Sequence, residues 1–167
     1  MRKNRLGRIL NSLLQTVMDP RSGQFNQIKT ALKEDVGPRD ITTELTVPEG
    51  SRCKATLRAK QGGVLSGVLL FRTVFDVLEA EVSEWECLFD GQAFKGGDTV
   101  ASFDALTRAT LTGERTALNF LQHLSGVATE TAAYVAAVEG YAAHICDTRK
   151  TTPMLRDYEK AAVRHGG

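Results

Sequence analysis

The hydrophobic pattern changes period once along this chain, near Thr112, and that change narrows the folds open to it. Before it, short alternating runs are punctuated by glycine, proline and Asp-Gly. Residues 54–60 alternate cleanly: Ala55, Leu57 and Ala59 face one way, Lys54, Thr56, Arg58 and Lys60 the other. That is the period of a half-buried strand. Gly62-Gly63 turns the chain, and Val68, Phe71, Phe75 and Leu78 then fall at helical spacing. Trp85, Cys87 and Phe89 alternate with Glu84 and Glu86, and Asp90-Gly91 reads as a turn. Two further strands are expected at residues 99–103 and 108–111. Ahead of all these, Ile28 and Leu32 mark a short helix that stops before Gly37-Pro38. Leu6, Leu10, Leu13, Leu14 and Val17 mark an earlier one, separated by a break at Pro20 to Gly23. Several short strands with accompanying helices predict an α+β domain.

Beyond Thr112 the spacing turns helical. Thr112 suits an N-cap, and Leu118, Leu121 and Leu124 supply the apolar positions of a helix over residues 114–124. Gly126 is expected to interrupt it. A second helix should run to about Glu139, with Gly140 as its stop. Residues 142–146 form a short, mostly apolar segment that predicts a buried strand, and Asp147, Thr148, Arg149 and Lys150 follow at once. Helix, buried strand, charged loop is the opening of an α/β barrel, whose chemistry gathers at the C-terminal ends of its strands. The expected architecture is therefore an α+β N-terminal domain over residues 1–112, a short-stranded sheet with helices. The first segment of an incomplete α/β barrel follows over residues 113–167.

Composition excludes several function classes. Hydrophobic residues make up 42% of the 167 and charged residues 25%, which suits a globular chain and not a disordered one. A net charge of +1 gives no general affinity for nucleic acid or an anionic membrane. No apolar run approaches the roughly 20 residues of a membrane span. Cys53, Cys87 and Cys146 lie far apart, without metal spacing or a disulfide framework, and read as reduced thiols of a cytoplasmic protein. Arg2, Lys3, Arg5 and Arg8 precede the first acid, Asp19, a bias that suits a transit peptide. The apolar stripe in the same stretch favours a helix that docks on its own domain.

The residues best suited to chemistry are Arg149 and Lys150, beside Thr148 and Thr151 at the expected strand end. A guanidinium grips a carboxylate or phosphate at two points, and an ammonium adds a compact charge. By itself such a pair is also an ordinary solvated surface. Arg115 falls at the expected start of a helix, where a cation opposes the macrodipole. It either pairs within the helix, with Glu114 or Asn119, or serves beyond it. His123, His144 and His165 have no partner at metal or triad spacing and read as structural or surface residues. The Gly-Gly pairs are not phosphate loops.

Five ordered stretches carry a family resemblance: "EDVGPRDITTELTVP" at 34–48, "GGVLSG" at 62–67, "ERTALNFLQHLSGVAT" at 114–129, "DTRKTTP" at 147–153 and "EKAAVRHGG" at 159–167. Together they resemble the N-terminal portion of quinolinate phosphoribosyltransferase, also called nicotinate-nucleotide pyrophosphorylase (carboxylating). Met154 stands where that family usually has glycine, and "EKAAV" replaces a form with an aromatic residue after the lysine. The family's "NHR" and "KDNH" motifs are not in the sequence.

The resemblance implies a reaction of NAD synthesis. Quinolinate joins phosphoribosyl pyrophosphate to give nicotinate mononucleotide, pyrophosphate and carbon dioxide. It assigns quinolinate binding to Arg149 and Lys150, assisted by Thr148, and to Arg115 reaching in from the neighbouring subunit of a homodimer or higher homo-oligomer. It also implies Mg2+ bound with the phosphoribosyl pyrophosphate, through ligands outside these residues. No nucleic acid or membrane partner is implied, and the 167-residue chain is expected to be inactive alone. Related readings are a homologous transferase of the molybdenum-transport-associated type and a non-catalytic dimerisation module.

Overall fold

The structure, a computed structural model, describes residues 23–167. The helix expected around Leu6 to Val17 lies outside the described residues. In chain order the elements are α1 (Gly23–Val36), α2 (Ile41–Thr46), β1 (Arg52–Arg58), β2 (Gly63–Val64), α3 (Val68–Val77), β3 (Ser83–Cys87), β4 (Ala93–Phe94), β5 (Thr99–Leu106), α4 (Thr107–Ala137) and α5 (Arg156–His165). β1, β5 and β3 form a three-stranded sheet in that order, with β5 in the middle. β2 and β4 pair antiparallel, Gly63 opposite Phe94 and Val64 opposite Ala93.

Burial follows the alternation read from the sequence. Along β1 the odd positions Cys53, Ala55 and Leu57 are half-buried, while Arg52, Lys54, Thr56 and Arg58 are exposed. The central strand is covered most, with Val100, Ala101, Phe103 and Ala105 all buried. α1 ends at Val36, ahead of Gly37-Pro38 as its spacing predicts, and buries Ile28 and Leu32.

The chain forms two compact units. One comprises the described residues up to Cys53, Leu69–Ser83 and Asp104–Ala117. Its core holds Leu70, Phe71, Val74 and Phe75 of α3, with the Phe71 and Phe75 rings edge to face at 5.3 Å. The start of α4 lies close to α3. A Cβ on Gly113 would stand 2.8 Å from Leu78 Cδ1 and 3.2 Å from Val74 Cγ1, so a larger residue there would have to displace these side chains. α2 is too short to persist alone and is tied at both ends. Asp40 caps its N-terminus, Oδ1 accepting the Thr43 N–H at 3.0 Å, while Oδ2 accepts the Thr112 hydroxyl at 2.9 Å. Arg108 donates to the C-terminal carbonyls of Glu44 and Val47 at 3.1 and 2.9 Å.

The other unit comprises Lys54–Val68, Glu84–Phe103 and Leu118–Gly167. Leu65, Leu121, Leu124, Ala128 and Ala162 are buried, and Trp85 stacks obliquely on Phe103 at 5.3 Å. The turn before α3 is stitched to α4. Thr129 Oγ1 accepts the Val64 N–H at 2.9 Å, Ser125 Oγ accepts the Ser66 N–H at 3.1 Å, and Ser66 Oγ meets His165 Nδ1 at 2.8 Å. Gly67 has φ +99°, and a Cβ there would lie 2.8 Å from Leu124 Cδ1. At the end of α5, a Cβ on Gly166 would stand 2.4 Å from the Ala128 carbonyl oxygen.

Four expectations are corrected. Residues 108–111 are not a strand; they open α4, because β5 ends at Leu106, whose N–H bonds the Ala80 carbonyl, and Arg108 is drawn to the end of α2. Thr112 is no N-cap but a helical residue whose hydroxyl serves Asp40. Gly126 does not interrupt the helix: α4 runs unbroken from Thr107 to Ala137. Residues 142–146 are exposed and form no strand, since no neighbouring strand among the described residues supplies the ladder that a strand requires.

Candidate substrate-binding site

The segment 147–153 leaves an irregular stretch and turns back into α5. Thr148 Oγ1 accepts the Lys150 N–H at 3.1 Å, a local turn that sets the backbone between them. Arg149 and Lys150 are both exposed, and among the described residues no carboxylate lies within ion-pairing distance of either. Two cationic side chains thus stand side by side with their donors uncommitted.

Both ends of the segment are fastened to α5. Asp147 Oδ2 pairs with Lys160 Nζ at 3.3 Å. Glu159 Oε2 accepts the Thr152 N–H at 3.1 Å, and Arg156 Nε donates to Thr151 Oγ1 at 3.3 Å. The reversal at Met154 brings Glu159 back over Thr152; its φ is +67°, a conformation natural to glycine and costly for methionine. Glu159 is buried, and its other oxygen meets His123 Nε2 of α4 at 2.8 Å. Burial opposes ionisation of this carboxyl. The hydrogen bonds from Thr152 and His123 outweigh it and hold the group below the usual glutamate range.

Arg115 sits elsewhere, in the unit formed with α1. It lies about two turns inside α4, so the macrodipole penalty expected of a helix start does not apply, since that effect fades after the first turn. Its partner is neither Glu114 nor Asn119. Arg115 NH1 pairs with Asp35 Oδ1 of α1 at 2.8 Å, and Thr116 Oγ1 reaches Asp35 Oδ2 at 3.4 Å. The guanidinium side chain remains 73% exposed, so most of its donors face water. Beside it, the Asp40 carboxyl is held below the usual range by hydrogen bonds from Thr43, then by Thr112 and the Arg115 charge.

Of the predicted site residues, Thr148, Arg149 and Lys150 are therefore brought together on one tied segment, and Arg115 belongs to the other compact unit. The reading of the sequence passed over Glu159 and Lys160. A signal was available: Leu155, Glu159, Ala162 and Gly166 recur at helical spacing, so an acid falls on the buried stripe of α5. His123, read as structural, serves as the partner of that acid. Burial, with the Asp90 charge, pushes the Cys87 thiol up to about 12, which disfavours the nucleophilic thiolate at neutral pH. Among the described residues no group of three or more His, Cys, Asp or Glu could hold a metal ion. No described helix is long and apolar enough to cross a membrane.

The arrangement can grip an anion: a fork and a point charge, with a hydroxyl alongside. Residues 40–125 match the family model described as quinolinate phosphoribosyl transferase, N-terminal domain, and residues 127–167 match that of its C-terminal domain. The probable nicotinate-nucleotide pyrophosphorylase [carboxylating] of Bacillus subtilis is 40% identical over 134 residues, covering 80% of this chain and 46% of that protein. The Mycobacterium leprae nicotinate-nucleotide pyrophosphorylase [carboxylating] is 42% identical over 144 residues, covering 84% and 50%. Among solved structures, NadC from Streptococcus pyogenes superposes with a TM-score of 0.81 at 45% identity, covering 85% of this chain and 50% of that one. The chain thus spans about half the length of the curated relatives it matches. Its fold is that of an α+β N-terminal domain leading into the start of a barrel domain.

Proposed function

The chain belongs to the quinolinate phosphoribosyltransferase family, and from that premise we propose that it carries the quinolinate-gripping half of a carboxylating nicotinate-nucleotide pyrophosphorylase of NAD synthesis. In this reading Arg149 and Lys150 take the two ring carboxylates, Thr148 adds a hydroxyl donor, and Arg115 of a second copy completes the cationic pocket. The observation that carries the reading is the pair of exposed, uncompensated cations on a segment tied down at both ends. Residues 1–112 would form the N-terminal domain and residues 113–167 the opening of the barrel domain.

The chemistry asks for fixed positive charge. The ring nitrogen of quinolinate bonds to the anomeric carbon of phosphoribosyl pyrophosphate as pyrophosphate leaves with the bonding electrons. The nitrogen is then cationic, and it stabilises the electron pair left at ring carbon 2 when that carboxylate departs as carbon dioxide. A proton from solvent fills the position, giving nicotinate mononucleotide. Cations already in place hold the ring in line for attack and require no reorganisation as charge shifts. Magnesium would accompany the pyrophosphate group, and no ligand for it is assigned among the described residues. The cytoplasm, where phosphoribosyl pyrophosphate is available, is the compartment this reading implies.

Calorimetric titration with quinolinate, and with nicotinate as the monocarboxylate control, tests the reading. A charged hydrogen bond contributes about 1.5–3 kcal/mol, so Arg149→Ala or Lys150→Ala should weaken quinolinate about 10- to 100-fold. Nicotinate should bind more weakly than quinolinate to the unaltered chain. Equal affinity for the two acids, or unchanged affinity in both variants, would overturn it.

A further inference from the structure

The loop that presents Arg149 and Lys150 has no regular structure of its own, yet its two ends meet adjacent residues of one helix. At one end Lys160 Nζ holds Asp147 at 3.3 Å; at the other, Glu159 Oε2 takes the Thr152 N–H at 3.1 Å. The two fastenings differ in kind. Glu159 is buried and doubly bonded, to Thr152 and to His123 of α4 at 2.8 Å, so it refers the loop to two helices. Lys160 is partly exposed, 37% for its side chain, and closes the outer edge. Between them stands the Thr148 turn with its two free cations.

From this geometry we propose that Glu159 and Lys160 are positioning residues that set the span of the 147–152 loop and so the spacing of the cations at Arg149 and Lys150. The proposal rests on the functional reading above. An acid on the buried stripe of α5 would serve packing poorly, since a buried carboxylate loses hydration that an apolar residue of the same size would not. Its use lies in offering two acceptors at a fixed place. One takes a backbone N–H that has no helical partner, and the other takes the imidazole. A loop held by a single end would sample many spans, and a rigid dicarboxylate would then lose one of its two contacts.

The test uses the full chain and quinolinate itself. Three variants are compared with wild type by calorimetry and by amide hydrogen exchange at Thr152, with the thermal midpoint followed in parallel. Glu159→Leu keeps volume and removes both acceptors. It should speed exchange at Thr152 and weaken quinolinate at least tenfold. Glu159→Gln keeps one acceptor for the Thr152 N–H and should restore affinity to within about threefold of wild type. That rescue separates positioning from a need for charge. Lys160→Met keeps the stem, leaves the core untouched and should weaken quinolinate at least threefold with an unchanged thermal midpoint. This variant decides the matter even if Glu159→Leu does not fold. Quinolinate binding unchanged in Lys160→Met, or unchanged in Glu159→Leu, or Thr152 exchange unaltered in Glu159→Leu, would overturn this inference alone. Absence of quinolinate binding to the wild-type chain would overturn the functional reading, and this inference with it.

Discussion

Met154 is 77% exposed and adopts φ +67° at the reversal between the cationic segment and α5. A left-handed backbone costs a non-glycine residue about 1–2 kcal/mol. Glycine removes that cost but gives back about 0.4–1 kcal/mol through the freer unfolded chain. Met154→Gly should therefore stabilise by about 0.5–1 kcal/mol, read as a higher urea midpoint at unchanged slope. Glu159 makes the second residue-scale prediction. Folding lowers its proton affinity below the ordinary value of 4.5, so its contribution is complete above pH 4.5 and is lost as pH falls through the lower folded value. The stability difference between wild type and Glu159→Gln should be largest near neutrality and shrink on acidification below 4.5. The cations were legible in the sequence because charge beside an apolar run is conspicuous. Glu159 was not, because an acid among polar residues reads as surface until its helix face is known.

At the scale of elements, α4 shows where pattern reading loses its grip. Four residues, Arg108 to Leu111, fit both an alternating and a helical period, and the choice was made by Arg108 reaching the end of α2. Gly126 looked like a stop, yet nothing lies within 4 Å of the place its Cβ would occupy. It is simply a weak residue in a helix held by its neighbours. Gly126→Ala should thus stabilise by about 0.5–1 kcal/mol. Gly166→Ala should do the reverse: its added carbon meets the Ala128 carbonyl at 2.4 Å and Thr131 Cβ at 2.7 Å, and overpacking of this kind costs about 1–3 kcal/mol. Paired thermal melts of the two variants check both signs at once. Residues 142–146 failed as a strand for a reason no local pattern contains: strands are made by partners. By contrast, β1 and α1 were legible because each buries one face, and burial leaves its period in the sequence.

At the scale of the molecule, the α+β character was visible in the alternation of short strands and helices, while the division into two compact units was not. Each unit is assembled from separate stretches, so no boundary in composition marks it. The exposed Arg149-Lys150 pair has a consequence of another order. A basic dipeptide on irregular backbone is what trypsin cleaves, whereas Arg156, Lys160 and Arg164 lie in α5 and must first unwind to enter a protease. Limited digestion should nick the chain after Arg149 or Lys150 well before it cuts α5, and saturating quinolinate should slow that nick. The time course on a gel would make occupancy of the pair visible without any label. On the functional reading proposed above, it would also mean that in a cell bound quinolinate guards this segment, so that supply of the acid and survival of the protein rise and fall together.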